Sequence, residues 1–583
     1  MSETATPTAE PTDTTETRTS GERDTRPCWR KDIDGVHVVK VSGTFREMGR
    51  QHGELLKDEI PNGPMPYFRT YTEKLIGNSQ LGPLKPLVWP LIKTLVGKRI
   101  EKKIPSYARE TLEGLAEGAE LPVDQVLEGA VMPDSILCLV SRMIQMKRCG
   151  DAIDHRLALG LGCSSAVAWG DSTKDGKLYH ARNFDYHGVE SWTRTTTVLF
   201  HEPKEGHRYV SVCAAGVPMG GVTAMNAAGL TLTVHQHMFT DSSRLGGIPT
   251  GIVGDRVMRE ASNLDEAEKI LREHTPIGCW TYVVTDGNTN EVLCLEENPQ
   301  RKASIRIGTE KGHFSYANIY LDSELGKTEK NLYGSYWRHN KARHERLNAM
   351  LEEHKGEIDG DTMASILGDT GTTDCRIHNA IGMLMTVGSV VFRPQDGIFW
   401  IGVGEAPTSK RRFQAFDLNG ECVAEEIADL VGGIEEDEAT AEAFDAYRES
   451  YLETFDRGNL DAGRERLDHA VTKQPEQPLY RSVAGFLALQ AGEPEEALAC
   501  FDKALELGHP DEERIAAFHG WRGRALDLLG RRDEAIKAYH QALALRHDPQ
   551  LGRAAERGLR RPFTMRKAKR IAVDFAFADV VNP

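Results

Sequence analysis

The chain has 583 residues and a formal net charge of −16. That length calls for more than one domain, and the acidic balance, with no dominant basic face, argues against a nucleic-acid ligand. Ten cysteines stand without CxxC pairs or other metal-ligand spacing. They point to no metal and no cofactor, and to free thiols in a reducing, cytoplasmic setting.

Residues 1–30 open MSETATPTAEPTDTTETRTS. They are acidic, rich in Thr and Pro and without apolar periodicity, so they read as a disordered tail with no secretory signal. Residues 31–162 form a mostly helical section. A β-branched run at Val36–Val41 predicts a strand with Val36 and Val38 on one face and Val39 and Val41 on the other. Helical spacing follows at about 45–59, 65–75, 87–103, 107–117 and 123–146. The apolar stretch Leu84–Val96 is broken by Pro86 and Pro90 and is too short to span a bilayer, so no membrane partner is expected.

Around Gly160–Tyr186 the character changes to alternating β-type runs, Ala166–Trp169 and Lys177–Ala181. A turn of Asp171, Lys174, Asp175 and Gly176 joins them, which reads as a hairpin. Cys163 heads the first strand, and Arg182 and Asp185 end the second. A thiol needs a nearby base or cation to become the thiolate that attacks carbonyls. The alternative reading is a buried structural cysteine. From 163 to 428 strand runs at 195–200, 209–213, 229–235, 281–285, 292–295, 303–307 and 386–403 alternate with helices at about 250–260, 264–273, 340–354 and 361–367. That mixture predicts a layered α+β domain.

An acidic linker at 429–442 leads into a repetitive helical section at 443–560. Gly485, Gly492, Ala497, Phe501 and Ala504 recur 38 residues later as Gly523, Gly530, Ala535, Tyr539 and Ala542. A weaker set, Gly458, Gly463, Leu467 and Ala470, lies 34 residues before the first. Small residues where paired helices cross, with an aromatic one turn on, resemble tetratricopeptide repeats. A helical bundle without a groove is the other reading. Residues 561–583, with Arg560-Arg561, Arg566-Lys567 and Lys569-Arg570, read as a solvated C-terminal tail.

The hairpin resembles the start of the mature subunit in cysteine-type N-terminal-nucleophile (Ntn) hydrolases. It is most similar to the acyl-coenzyme A:6-aminopenicillanic-acid acyltransferase (isopenicillin N acyltransferase-like) family and, further off, to choloylglycine hydrolases and penicillin V acylases. The residues that carry the likeness are Cys163-Ser164, Asp175-Gly176 and Ala181-Arg182-Asn183-Phe184-Asp185. Phe45–Gly53 and Leu112–Ala119 add to it upstream. Met225–Leu230 adds to it downstream, with Ala227-Ala228 departing from the usual pair, as does the run Thr386–Pro407. The resemblance implies an αββα sandwich behind a helical prosegment, and cleavage of the Gly162–Cys163 bond.

Cleavage would give Cys163 a free α-amino group, whose ordinary pKa near 8 suits it as base toward its own thiol. Arg182 would lower the thiol pKa, and Asp185 would accept from the new ammonium. By resemblance Asn318 is an oxyanion donor, Gln236 stands where the relatives carry a second Asn, and Arg343 is the helix-borne Arg, with Arg338 as its alternative.

The implied activity is cleavage of a linear amide C–N bond, or acyl transfer from an amide or thioester, through a Cys163 acyl-enzyme. The partner would be a small acyl-amide or acyl-thioester molecule. A different class is also open: a silent Ntn scaffold whose tetratricopeptide repeats bind a protein partner. Alternatively, the repeats could recruit a protein substrate or partner enzyme. Two side readings are a metal held by His235 and His237, which share a strand face, and a papain-like pairing of Cys163 with His180.

Overall fold

The computed structural model describes residues 26–70, 90, 93–145, 162–237, 240, 242–244, 246–330, 334–371, 380–433 and 436–581. Most of the expected tail 1–30 lies outside these residues. So do the far end of the helix expected at 65–75, much of Leu84–Val96, Met146, Gly160 and Glu435 of the linker.

Two sheets lie face to face. The first has nine strands in the order β1-β2-β5-β6-β7-β8-β9-β10-β11. These are β1 Trp29–Ile33, β2 Val36–Gly43, β5 Thr196–Pro203, β6 Tyr209–Ala214, β7 Thr223–Asn226, β8 Leu230–Gln236, β9 Trp280–Asp286, β10 Glu291–Glu297 and β11 Lys302–Ile307. The second is ordered β12-β3-β4-β13-β14-β15-β16, with β17 also on β15. It comprises β3 Gly162–Gly170, β4 Gly176–Asp185, β12 His313–Tyr316, β13 Thr386–Arg393, β14 Ile398–Gly402, β15 Arg412–Asp417, β16 Cys422–Val423 and β17 Leu430–Val431. β2 and β5 pair in parallel. β1 starts inside the stretch expected to be a disordered tail, because Trp29 is buried with its ring 6.3 Å from that of Phe200.

The strand period of two sorts the side chains into layers. Val36 and Val38 join Val198, Phe200, Val390, Phe392 and Phe399 between the sheets. Val39 and Val41 face outward onto the helices α1 Phe45–Leu55, α2 Ser106–Gly118 and α3 Val123–Gln145. Helices α4 Thr250–Glu260 and α5 Leu264–Glu273 extend that layer over β8 to β10. On the other side α6 Gly334–Glu353 and α7 Gly360–Leu367 cover Ala166, Ala168, Tyr179 and Ala181. Helices, sheet, sheet and helices make an αββα sandwich of the α+β class.

The helical section after Asp437 is three helix pairs and a cap: α8 Glu438–Tyr451 with α9 Leu460–Lys473, α10 Pro478–Ala491 with α11 Pro494–Leu507, and α12 Glu512–Leu528 with α13 Arg532–Ala544, closed by α14 Pro549–Arg560. Of the repeating glycines, Gly485 and Gly523 sit at the crossings, whereas Gly492 and Gly530 follow the ends of α10 and α12 with positive φ. A Cβ on Gly485 would lie 2.7 Å from the Phe501 ring, and one on Gly523 would lie 2.8 Å from that of Tyr539. The stretch after α14 departs from the expected solvated tail. Its basic residues are exposed, but Ile571, Val573, Phe575, Phe577 and Val581 are buried. These apolar side chains outweigh the charges before them, so the chain end packs back onto the repeats.

Candidate active site

Strands β3 and β4 place the site. They pair with Cys163 opposite Phe184 and Ser165 opposite Arg182. Because faces alternate, Arg182 and Asp185 leave β4 on opposite sides. Arg182 points between the sheets and Asp185 toward the helix α6.

On the inter-sheet side Arg182 Nη2 donates to Cys163 Sγ at 3.6 Å. The same guanidinium donates from Nη1 to the Val222 carbonyl at 2.7 Å and from Nη2 to the Val234 carbonyl at 2.8 Å. It also lies over the Phe184 ring, 4.9 Å from its centre. Arg182 thus ties the strand that carries Cys163 to the facing sheet. Burial pushes the Cys163 thiol above its ordinary value, and the Arg182 charge pulls against that.

On the helix side Arg343 Nη1 is 3.2 Å from Asp185 Oδ2, and Thr386 Oγ1 donates to Asp185 Oδ1 at 2.6 Å. Both partners of this ion pair are fully buried. Burial raises the Asp185 carboxyl to about 6, with Arg343 and Thr386 acting to lower it. The pair presses on Gly162: a Cβ there would lie 2.6 Å from Arg343 Nη1 and 2.9 Å from Asp185 Oδ2.

Asn318 joins the two sides. Its Oδ1 accepts from the Cys163 backbone N at 2.6 Å and from Arg343 Nη2 at 2.9 Å, while its Nδ2 donates to the Gln236 carbonyl at 2.6 Å. Two donors on one atom fix which end of the amide is oxygen. Asn340 holds Asn318 in turn, donating to its carbonyl at 3.2 Å, and also accepts from Arg343 Nη2 at 3.1 Å. Asn318 has φ of 52°, in the left-handed region that Asn tolerates better than most residues.

Cys163, Arg182, Asp185, Asn318 and Arg343 therefore come together. In the uncut chain the Cys163 nitrogen donates to Asn318 Oδ1, while the Asp185 oxygens take Arg343 and Thr386. Asn318 commits one N–H of its amide to the Gln236 carbonyl, which leaves the second N–H of the same nitrogen for an oxyanion. Gln236 contributes a backbone carbonyl, and its side chain lines the adjoining cavity. Arg338 is absent from the site: it pairs with Asp511, which caps α12, and with Glu513 on that helix.

His180 lies between the sheets on Thr231 Oγ1 at 2.7 Å and Ser165 Oγ at 3.3 Å, and burial lowers it to about 3. It faces hydroxyls, opposite Val167 and further along the strands than Cys163. His235 meets Ser165 Oγ at 2.9 Å, and His237 meets Thr281 Oγ1 at 2.8 Å. No group of three or more metal-ligating side chains occurs among the described residues.

A cavity of about 160 Å³ opens beside Cys163, Arg182 and Asp185. Its lining is overwhelmingly apolar and includes Phe184, Tyr186, Trp192, Met219, Val222 and Val234. Met65, Phe68, Gly129, Ala130, Pro133 and Asp134 of the section before Cys163 complete the wall. Asp134 accepts from Trp280 Nε1 at 2.9 Å and from the Thr250 backbone N at 3.3 Å, and burial raises it to about 7.

The sequence reading missed Asn340 and Thr386 as site residues. Asn340 precedes Arg343 by three residues on one helix, so the helical period places it on the same face. Thr386 carried no signal beyond starting a strand run.

A buried cysteine and arginine thus meet on the β3–β4 hairpin of an αββα sandwich. Residues 172–407 match the family described as acyl-coenzyme A:6-aminopenicillanic acid acyl-transferase, a span that begins after Cys163. Residues 523–552 match a tetratricopeptide repeat. An uncharacterized protein of Archaeoglobus fulgidus is 27% identical over 264 residues, covering 44% of this chain and 42% of that protein. The chain thus spans under half the length of this curated relative. A solved Caenorhabditis elegans N-acylethanolamine-hydrolyzing acid amidase ortholog aligns at 14% identity with a TM-score of 0.30, covering 40% of this chain and 93% of that one. The N-terminal domain of C. elegans stress-induced protein-1 aligns at 17% identity with a TM-score of 0.20, covering 22% and 100%.

Proposed function

We propose that the protein is a self-processing cysteine Ntn hydrolase or acyltransferase that acts on a linear amide or an acyl thioester. The observation that carries this is Cys163, with its thiol on Arg182, its backbone nitrogen on Asn318 and an apolar cavity beside it.

Cleavage after Gly162 converts the Cys163 amide nitrogen into an amine. Asn318 Oδ1 then holds that amine, and the Arg343 charge on the same oxygen disfavours its protonation, leaving it a base. The amine takes the thiol proton, and the thiolate, steadied by Arg182, attacks the acyl carbonyl. The proton passes to the leaving amine or thiol, and water or an acceptor amine resolves the thioester. An apolar acyl group suits the cavity lining, since burying it removes apolar surface from water. Residues before Cys163 form part of that wall, so the two fragments would stay associated.

The test is labelling with an acyl probe that reacts with thiols, mapped by peptide mass. Acylation at Cys163, abolished in Cys163→Ser and slowed in Arg182→Gln, supports the reading. Labelling spread over the other cysteines with none at Cys163 overturns it.

A further inference from the structure

In each repeat the first helix of the pair lines one face, so α8, α10 and α12 together form the groove of the module. That groove is filled by the chain's own end. Tyr447 on α8 donates to the Phe575 carbonyl at 2.6 Å, and Gln490 Nε2 on α10 donates to the Ile571 carbonyl at 2.7 Å. Arg514 on α12 donates from Nη2 to the Phe577 carbonyl at 2.7 Å and from Nη1 to the Ala578 carbonyl at 3.1 Å. Every first helix thus reads a backbone carbonyl of one short segment. The side chains fill apolar sites: the Phe575 ring lies 5.5 Å from Tyr447 and 5.9 Å from Tyr451. The segment is folded as a short hairpin, Val573 opposite Val580 and Asp574 opposite Asp579, with Phe575 to Ala578 as its turn.

The segment is not the end cap of the solenoid. That task falls to α14, where Leu551 meets Gly520 and Gly558 meets Tyr539. Residues 571–581 instead run back to the first repeat and reach the catalytic domain. The Phe577 ring lies 4.9 Å from that of His339 and 5.8 Å from that of Tyr336, both on α6. Tyr336, His339, Asn340 and Arg343 follow the i, i+3, i+4, i+7 spacing of one helix face. The face that receives Phe577 at one end therefore presents Arg343 to Asp185 and Asn318 at the other. Arg338, paired with Asp511 and Glu513, fastens the same helix to α12.

We propose that Ile571–Val581 is the intramolecular ligand of the repeat groove, and that Phe577 is a positioning residue that sets α6 and, through it, Arg343. The second half rests on the reaction proposed above; the first does not. A protein partner entering this groove has to displace the segment, and in doing so loosens the helix that carries Arg343.

The test uses the full chain, a chain ending at Arg570, a fluorescent peptide of residues 571–581 and the same peptide with Phe577→Ala. The peptide is expected to bind the shortened chain and not the full one. Bound there, it should restore an acylation rate at Cys163 that truncation lowers about tenfold or more, as small misplacements of catalytic groups do. The Phe577→Ala peptide should bind without restoring the rate. Phe577→Ala in the full chain covers the case in which the shortened chain does not fold. It should slow acylation and speed amide exchange in α6 more than in the helices of the opposite layer, beyond the general loss of stability that truncating a buried ring brings. Equal peptide binding to both chains, or no binding to the shortened one, overturns the groove assignment. Exchange in α6 of Phe577→Ala that rises no more than in the opposite layer, with acylation unchanged, overturns the positioning role. If Cys163 of the full chain does not react at all, the reaction reading fails, while peptide binding and α6 exchange still decide the two halves of this proposal.

Discussion

Gly162 and Arg343 are in such close contact that a Cβ on Gly162 would lie 2.6 Å from the guanidinium Nη1. The residue before Cys163 is packed against the buried Arg343–Asp185 pair, which cannot retreat without losing its partners. Gly162→Ala should therefore push Arg343 off Asn318 and Asp185. The expected result is an uncut chain that still folds, read by intact mass alongside circular dichroism. Normal cleavage in that variant would show that the ion pair yields freely.

Arg182 serves the thiol and two buried carbonyls at once. Lysine carries the charge but not the planar fork, so Arg182→Lys cannot hold the thiol and the Val234 carbonyl at the guanidinium's spacing, while the Val222 carbonyl keeps the Val234 backbone N–H. A buried polar group left unmatched costs about 1–3 kcal/mol. The Cys163 thiol should titrate higher, because the Arg182 charge that opposes its burial is displaced, and alkylation near neutral pH should slow. Rates of iodoacetamide alkylation against pH for wild type and variant check this. An unmoved midpoint would remove Arg182 from control of the thiol.

Much of the layering was legible in the sequence because strand alternation survives burial. Val36 and Val38 separate from Val39 and Val41 in the sequence pattern as they do in the sandwich. The repeating Gly485 and Gly523 marked the helix crossings for a similar reason: only small residues fit there. What was not legible depended on register and on who else competes for an atom. The pattern placed Asp185 near Cys163, but only pairing and alternation put it on the opposite face from Arg182. Thr386 then fills its second oxygen. Asn318 could be named as an amide, but one of its N–H groups goes to a carbonyl more than eighty positions earlier in the chain, at Gln236. The chain end misled because its charges are near the start of the stretch and its buried aromatics, Phe575 and Phe577, come after them.

Asp185 sets a pH dependence. Burial raises it to about 6, above the ordinary aspartate value of about 3.9. Between those values the native chain keeps a proton that the unfolded chain has released, so the Asp185 contribution to stability falls as pH rises through the window. The Arg343 ion pair forms over the same range, so Cys163 acylation should rise through about pH 6. Asp134, raised to about 7, shifts stability in the same direction, and for that reason the comparison is with Asp185→Asn. Urea unfolding at pH 4.5 and 6.5 should show a smaller loss of stability in the variant, and its acylation profile should lack the limb near 6. An identical limb in both proteins would assign it elsewhere.

The cavity wall offers a test of acyl selection. Ala130 lines it from α3, away from the hydrogen-bonded site. Ala130→Phe fills part of the space, so longer apolar acyl probes should lose rate at Cys163 relative to short ones by about 1–3 kcal/mol, the usual cost of overpacking. A chain-length series measured on both proteins reads this directly. Parallel profiles would place the acyl group outside the cavity.

The intact mass of the purified protein, beside a Cys163→Ala control, bears most directly on the proposed chemistry. Two associated fragments are predicted, the second beginning at Cys163, with the control remaining whole. A single uncut chain in active, folded wild-type protein would contradict the α-amino base and, with it, the self-processing mechanism.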